Sequence, residues 1–172
     1  SSTSRGLGDV YKRQIPNSHT EAFWIVEEVL DGDSLTVKQE FGKQRREIRL
    51  YRLDAPEVSF SRKMSEDEAK SGIAATLLLQ YGMMSLEYVL QVCPPGTRIT
   101  LVTELKNRTD FWLRDLAYVI LPGGECLNEL ILRNGYAKPS SDYFCFHLPY
   151  FQQINTFAKM QKKGIYAFTS DL

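Results

Sequence analysis

The chain has 172 residues, 43% hydrophobic and 24% charged, enough for one globular domain with its own core. Lysine plus arginine equals aspartate plus glutamate at 21 each, giving a formal net charge of +0. This excludes a general positive field, so a nucleic-acid partner must be met by a local basic patch. Cys93, Cys126 and Cys145 lack C-x-x-C spacing and suit neither a zinc site nor a disulfide framework; a reducing compartment fits, with one disulfide plus one free thiol left open.

Residues 1–20 are expected to be a leader, disordered or added in cloning, ahead of a single domain over 21–172. SSTSRGLGDVYKRQ has no apolar core of a signal peptide, and localisation stays open. No run approaches the length of a membrane span.

Phe23 to Leu30, rich in aromatic and β-branched residues, predicts a first strand. Asp31-Gly32-Asp33 supplies a turn, and the alternation from Ser34 to Phe41 predicts a second strand. After a turn at Phe41-Gly42-Lys43, Arg45 to Leu53 returns as a third. Ile48 and Leu50 share one of its faces, and Arg49, Tyr51 and Leu53 the other; Ala55-Pro56 stops it.

Ser65-Glu66-Asp67-Glu68 predicts a helix start with Ser65 as its cap. The helical spacing runs through Ile73, Leu77, Leu78 and Tyr81 to Val92, with Met83 and Met84 expected in the core. Gly72 and Gly82 are both places where it would split. Arg98 to Thr103 and Phe111 to Leu121 predict two further strands. A short helix then carries Leu127, Leu130 and Ile131. A last one, Phe151 to Lys163, turns Phe151, Ile154, Phe157 and Ala158 inward. Three strands, a helix, two strands and two helices is the order of a mainly β fold with α: a five-stranded OB-type barrel with packed helices.

The chemistry concentrates in two acidic corners, Asp31-Gly32-Asp33 and Asp54-Ala55-Pro56-Glu57, at opposite ends of one hairpin. A hard divalent cation that keeps several waters needs only one or two carboxylates, so Asp33 and Asp54 are expected as ligands, with the Ala55 carbonyl as a third. Glu57 is placed to position or deprotonate a water. Phosphodiester hydrolysis builds charge on the non-bridging oxygens, which planar guanidinium groups stabilise. Arg49 is one candidate. Arg114, expected mid-strand in an apolar run, is the other.

Asp31-Gly32-Asp33-Ser34, Arg49-Leu50-Tyr51-Arg52-Leu53-Asp54-Ala55-Pro56-Glu57 and Arg114-Asp115-Leu116-Ala117-Tyr118 together resemble the staphylococcal nuclease (thermonuclease) family. The likeness covers roughly Phe23 to Phe168. It implies a Ca²⁺-dependent nuclease on an OB barrel that cleaves DNA and RNA at the 5′ O–P bond, leaving 3′-phosphates. By position, Asp33, Asp54 and the Ala55 carbonyl resemble the calcium ligands, Glu57 the general base, and Arg49 and Arg114 the phosphate-binding arginines. Trp112 and Tyr143 match the stacking aromatics, with Lys138 beside them. The implied partner is DNA and/or RNA, expected single-stranded because an aromatic platform beside a cationic groove grips unpaired bases. A monomer without a membrane partner is expected, and relatives of this kind are often exported.

This chain departs from the family pattern in places. Ala55 stands where threonine is common, and Leu113 replaces a glycine before the arginine. Asp115 follows that arginine, and Val58–Tyr81 is longer than the usual loop and is placed to roof the site. The basic patch is expected between Lys38 and Arg52, where Lys38, Lys43, Arg45, Arg46, Arg49 and Arg52 face only Glu40 and Glu47. Each motif alone has a plainer meaning as a solvated turn, a strand stop or a structural ion pair. The alternative function is a catalytically silent OB module that binds nucleic acid or a protein ligand.

Overall fold

A long, bent first strand organises the molecule. The computed structural model describes residues 15–59, 62–140 and 142–172. Strand β1 (Ser18–Asp31) pairs along its first part with β5 (Arg98–Glu104) and along its second with β2 (Ser34–Gln39). One strand can serve two neighbours because it bends at irregularities in register, between Glu21 and Trp24, Val26 and Glu28, and Val29 and Asp31. Strand β2 continues antiparallel into β3 (Arg45–Leu50), which runs parallel to β6 (Asp115–Ile120); β6 returns antiparallel to β5. The ring closes as β1-β2-β3-β6-β5, the expected OB-type barrel.

Alternation supplies the barrel interior. Trp24, Val26, Leu35, Val37, Ile48, Leu50, Ile99 and Leu101 are buried, each worth about 1.5–3 kcal/mol of apolar transfer for its aliphatic bulk. Strand β6 is buried on both faces because helix α3 (Leu127–Arg133) covers its outside. Asn128 stitches the two together, accepting from the Val119 N–H at 3.0 Å and donating to the Ala117 carbonyl at 3.2 Å.

Several element boundaries differ from expectation. Ile15 is buried in the core and β1 begins at Ser18, so 15–20 of the leader expected over 1–20 belong with the barrel, and its residues 1–14 lie outside the described residues. Helix α1 (Arg62–Ser71) starts ahead of Ser65, which is therefore not its cap. Gly72, at φ +72°, does break the helix, and α2 (Ala75–Val92) leaves at 110° to α1. Gly82 breaks nothing. Met83 is exposed on α2, and Met84 is only partly buried, because they follow the outward arc of the helix. Helix α4 (Leu148–Met160) begins three residues early. It buries Phe151, Ile154 and Ala158 but leaves Phe157 58% exposed, beyond the edge of the stripe. Among the described residues no single helix is long and apolar enough to cross a membrane.

The predicted strand from Arg45 to Leu53 is interrupted at Tyr51-Arg52. Arg52 adopts φ +54°, turning the chain out of the barrel into β4 (Leu53–Asp54), which pairs with β7 (Lys138–Pro139). The strand predicted from Phe111 begins only at Asp115. Phe111–Arg114 forms a loop, with Leu113 at φ +62°.

Candidate functional site

Helix α2 presses the two acidic corners together. A Cβ on Gly32 would stand 2.6 Å from the Ser85 Cβ and 2.8 Å from the Ala55 Cβ, so the first corner packs directly on the helix and on the second. Gly82 plays the same part for the second corner, since a Cβ there would collide with the Glu57 carbonyl oxygen. These close approaches explain both glycines.

The first corner is rigid. Asp31 Oδ1 accepts from the Asp33 N–H at 3.0 Å and the Ser34 hydroxyl at 2.8 Å, an Asx turn. Asp33, 2% exposed, accepts from the Ala55 N–H at 2.9 Å through Oδ2, and Arg49 Nη2 approaches the same oxygen at 3.3 Å. Arg49 Nη2 also donates to the Leu53 carbonyl at 2.8 Å. One guanidinium thus ties the first corner to the chain entering the second. Burial by itself would lower the Arg49 pKa. The carboxylates of Asp33 and Asp54, with Tyr143 and Asp31, outweigh it and hold the pKa above the ordinary arginine value.

Arg49, Asp54, Arg114, Trp112 and Tyr143 line one cavity of about 280 Å³, together with Asn107, Thr109, Asp110, Phe111, Ser140 and Asp142. Arg114 arrives there from a loop, not from mid-strand. Asp110 builds that loop, accepting at Oδ1 from the N–H groups of Trp112 and Arg114 at 2.9 Å each and at Oδ2 from Arg114 Nε at 2.7 Å. The neighbouring Asp115 instead pairs with Arg46 at 2.9 Å. The held loop raises Phe111, Trp112 and Leu113 into solvent, Trp112 being 73% exposed.

Tyr143 forms the facing wall. Its hydroxyl accepts from the Arg52 N–H at 2.9 Å, and the Arg52 guanidinium lies 4.5 Å from its ring centroid. Burial pushes the phenol up to about 12 despite the opposing Arg52 N–H and the Arg49 and Arg52 charges.

Other expected site residues fall elsewhere. Asp33 is not among the residues lining this cavity, though it contacts Arg49, which is. Glu57 is half-buried where its backbone crosses α2, outside the lining of this cavity. Lys138 pairs with Asp54 through the backbone, but its Nζ donates to the Leu172 oxygen at 2.5 Å. It lines a second cavity, of about 310 Å³, walled by Asp67, Lys70 and Ser71 of α1. Asp54, Ala55 and Pro56 border that cavity too, so the long segment after Val58 does wall the second corner; residues 60 and 61 lie outside the described residues. The basic stretch from Lys38 to Arg52 is partly neutralised, while Lys38 and Lys43 stay exposed. Arg45 pairs with Glu27 at 3.1 Å, and Arg46 with Glu21 at 2.7 Å while stacking on Trp24.

The donor set at the corners is oxygen, from the Asp33 and Asp54 carboxylates and the Ala55 carbonyl, which suits a hard cation that keeps part of its water shell. Among the described residues no group of three or more His, Cys, Asp or Glu side chains converges as a complete cage. The three cysteines are buried and free, and burial pushes the thiols of Cys93 and Cys145 up to about 12.

Sequence reasoning missed Asp110 and Arg52. The Asp110–Arg114 spacing of four was a signal for the first. For the second the signal was a charge on the Ile48 and Leu50 face of a predicted strand. Comparison with protein families matches residues 47–167 to the model described as Staphylococcal nuclease homologue. A search of the curated proteins finds no match.

Proposed function

Since the chain belongs to the staphylococcal nuclease homologue family, a family of nuclease-like and nucleic-acid-binding modules, we propose that it is a Ca²⁺-dependent phosphodiesterase acting on single-stranded DNA or RNA. The observation that carries this is one cavity in which Arg49, Arg114 and Asp54 meet Trp112 and Tyr143. Two guanidinium groups at one mouth fit a phosphodiester, and flanking aromatics fit unpaired bases.

In this reading Asp33, Asp54 and the Ala55 carbonyl hold Ca²⁺, which supplies charge neutralisation at the phosphate. Arg49 and Arg114 bind the non-bridging oxygens and strengthen that hold as charge builds in the transition state. Arg114 is aimed by Asp110, and Arg49 by Asp33 and the Leu53 carbonyl. Glu57 takes the proton of the attacking water, whose oxygen bonds phosphorus as the P–O5′ bond breaks; the products are a 3′-phosphate and a 5′-hydroxyl protonated from solvent.

The test is hydrolysis of heat-denatured DNA and of RNA by the full chain, with Ca²⁺ or with chelator, beside Asp54→Asn and Glu57→Gln. Asp54 is the better metal variant because removing the buried Asp33 would also release Ala55 and Arg49. Calcium-dependent cleavage that Asp54→Asn abolishes supports the nuclease. Binding of single strands without cleavage in any metal would replace it with the silent binding module.

A further inference from the structure

Arg52 is an unfavourable residue for its place. Its backbone stands at φ +54°, a region that glycine enters freely and a residue with a Cβ enters at a cost. Its side chain is 3% exposed, and among the described residues neither Nε nor Nη1 has a hydrogen-bond partner. Burial lowers its pKa, as expected of a cation taken out of water. Neither feature aids folding. Strain and desolvation held together at one residue beside a cavity point to a use.

That use is visible in what the residue touches. Its guanidinium lies against the ring of Tyr143 at 4.5 Å, and its N–H donates to the Tyr143 hydroxyl at 2.9 Å. Its carbonyl accepts from the Ser140 N–H at 2.7 Å, so the chain on the other side of the cavity is held as well. The Tyr143 ring, its hydroxyl and the Ser140 backbone are all held by one residue. Two positions later the same turn delivers Asp54.

We propose that Arg52 is a positioning residue for nucleotide binding: its guanidinium, kept in a strained turn, sets the Tyr143 ring as a fixed wall of the cavity that Arg49 and Arg114 line. The ligand named here rests on the function proposed above; the placement of Tyr143 does not. A planar, stacked guanidinium is required, because a lysine ammonium offers no flat face to the ring. The glycine that would relieve the turn is the residue that would free Tyr143.

The experiment compares Arg52→Gly and Arg52→Lys with wild type by thermal unfolding, single-stranded oligonucleotide binding and NMR of the Tyr143 ring. The expected result is that Arg52→Gly keeps or raises Tm while affinity falls about fivefold or more, the scale of one lost stacking contact. The ring resonances shift without any ligand, and Arg52→Lys behaves like Arg52→Gly in both affinity and resonances. Unmoved resonances would overturn the proposal. So would unchanged affinity in Arg52→Gly, a lysine variant that matches wild type, or a loss of Tm with unaltered affinity. If wild type binds no nucleic acid while the resonances move, the functional reading fails and the placement of Tyr143 by Arg52 stands.

Discussion

Gly82 and Glu57 are in direct backbone apposition: the helix face that Gly82 leaves bare is where the Glu57 carbonyl rests. A residue with no side-chain chemistry of its own thus sets the height of the second acidic corner. Alanine is the better helix former by about 1 kcal/mol, but overpacking a close contact costs about 1–3 kcal/mol. Gly82→Ala is therefore expected to lower stability by up to about 2 kcal/mol and to reduce turnover more than nucleotide affinity. Chemical denaturation and steady-state kinetics check this. A stabilised variant with full activity would show that the contact is not needed.

Leu113 offers the opposite case. It stands at φ +62° with its side chain 81% exposed, so it pays for backbone strain without packing in return. Leu113→Gly is expected to gain about 0.5–1 kcal/mol, read from the denaturant midpoint. The Asp110 hydrogen bonds that hold Arg114 remain in that variant. Loss of stability would mean that Leu113 packs against something in solution.

Trp112 is exposed and makes its ring contact with Phe111, edge to face at 5.1 Å. Trp112→Ala should leave the midpoint within about 0.5 kcal/mol of wild type. Affinity for a single-stranded oligonucleotide should fall by about 1–3 kcal/mol. Fluorescence titration with wild type alongside gives the answer, and an unchanged Kd would remove Trp112 from the interface.

His147 sets a pH dependence. It is buried among Tyr118, Phe146, Tyr150 and Phe151, and burial lowers its pKa. The unfolded chain takes up its proton first, near the ordinary histidine value of about 6.5. The stability carried by the neutral ring is then complete above that pH and is lost as the pH falls toward the lower folded-state value. Tm should decline from about pH 6.5 downward, and His147→Phe should flatten that part of the profile. Equal slopes in the two proteins would assign the decline to other groups.

Much of the barrel was written in local pattern. Alternation at Leu35 and Val37 and at Ile48 and Leu50 marks strands wherever they fold, because a pleated strand buries every second side chain. The Asp31-Gly32-Asp33 turn is equally local in the Asp31 bonds that shape it, which reach no further than Ser34, whereas its Asp33 carboxylate goes on to Ala55 and Arg49. The two acidic corners and Arg49 were legible for the same reason: residue type and spacing carry their chemistry.

Tertiary structure decided which of these residues meet. Gly82 reads as a helix break by propensity, and only the Glu57 backbone pressed against it shows that its role is close approach. Phe111 to Arg114 reads as a strand until Asp110 closes the loop and turns Leu113 into positive φ. Lys138 and Arg46 read as free cations, yet they spend their charge on Leu172 and on Glu21 and Asp115. Local pattern in the sequence carried the order of elements along the chain, the turn chemistry and the residue types of the site, because these follow from neighbours along the chain. Partner choice among charges, the wall formed by Tyr143 and Arg52, and the cavity itself depend on segments tens of residues apart, and folding alone brought them together.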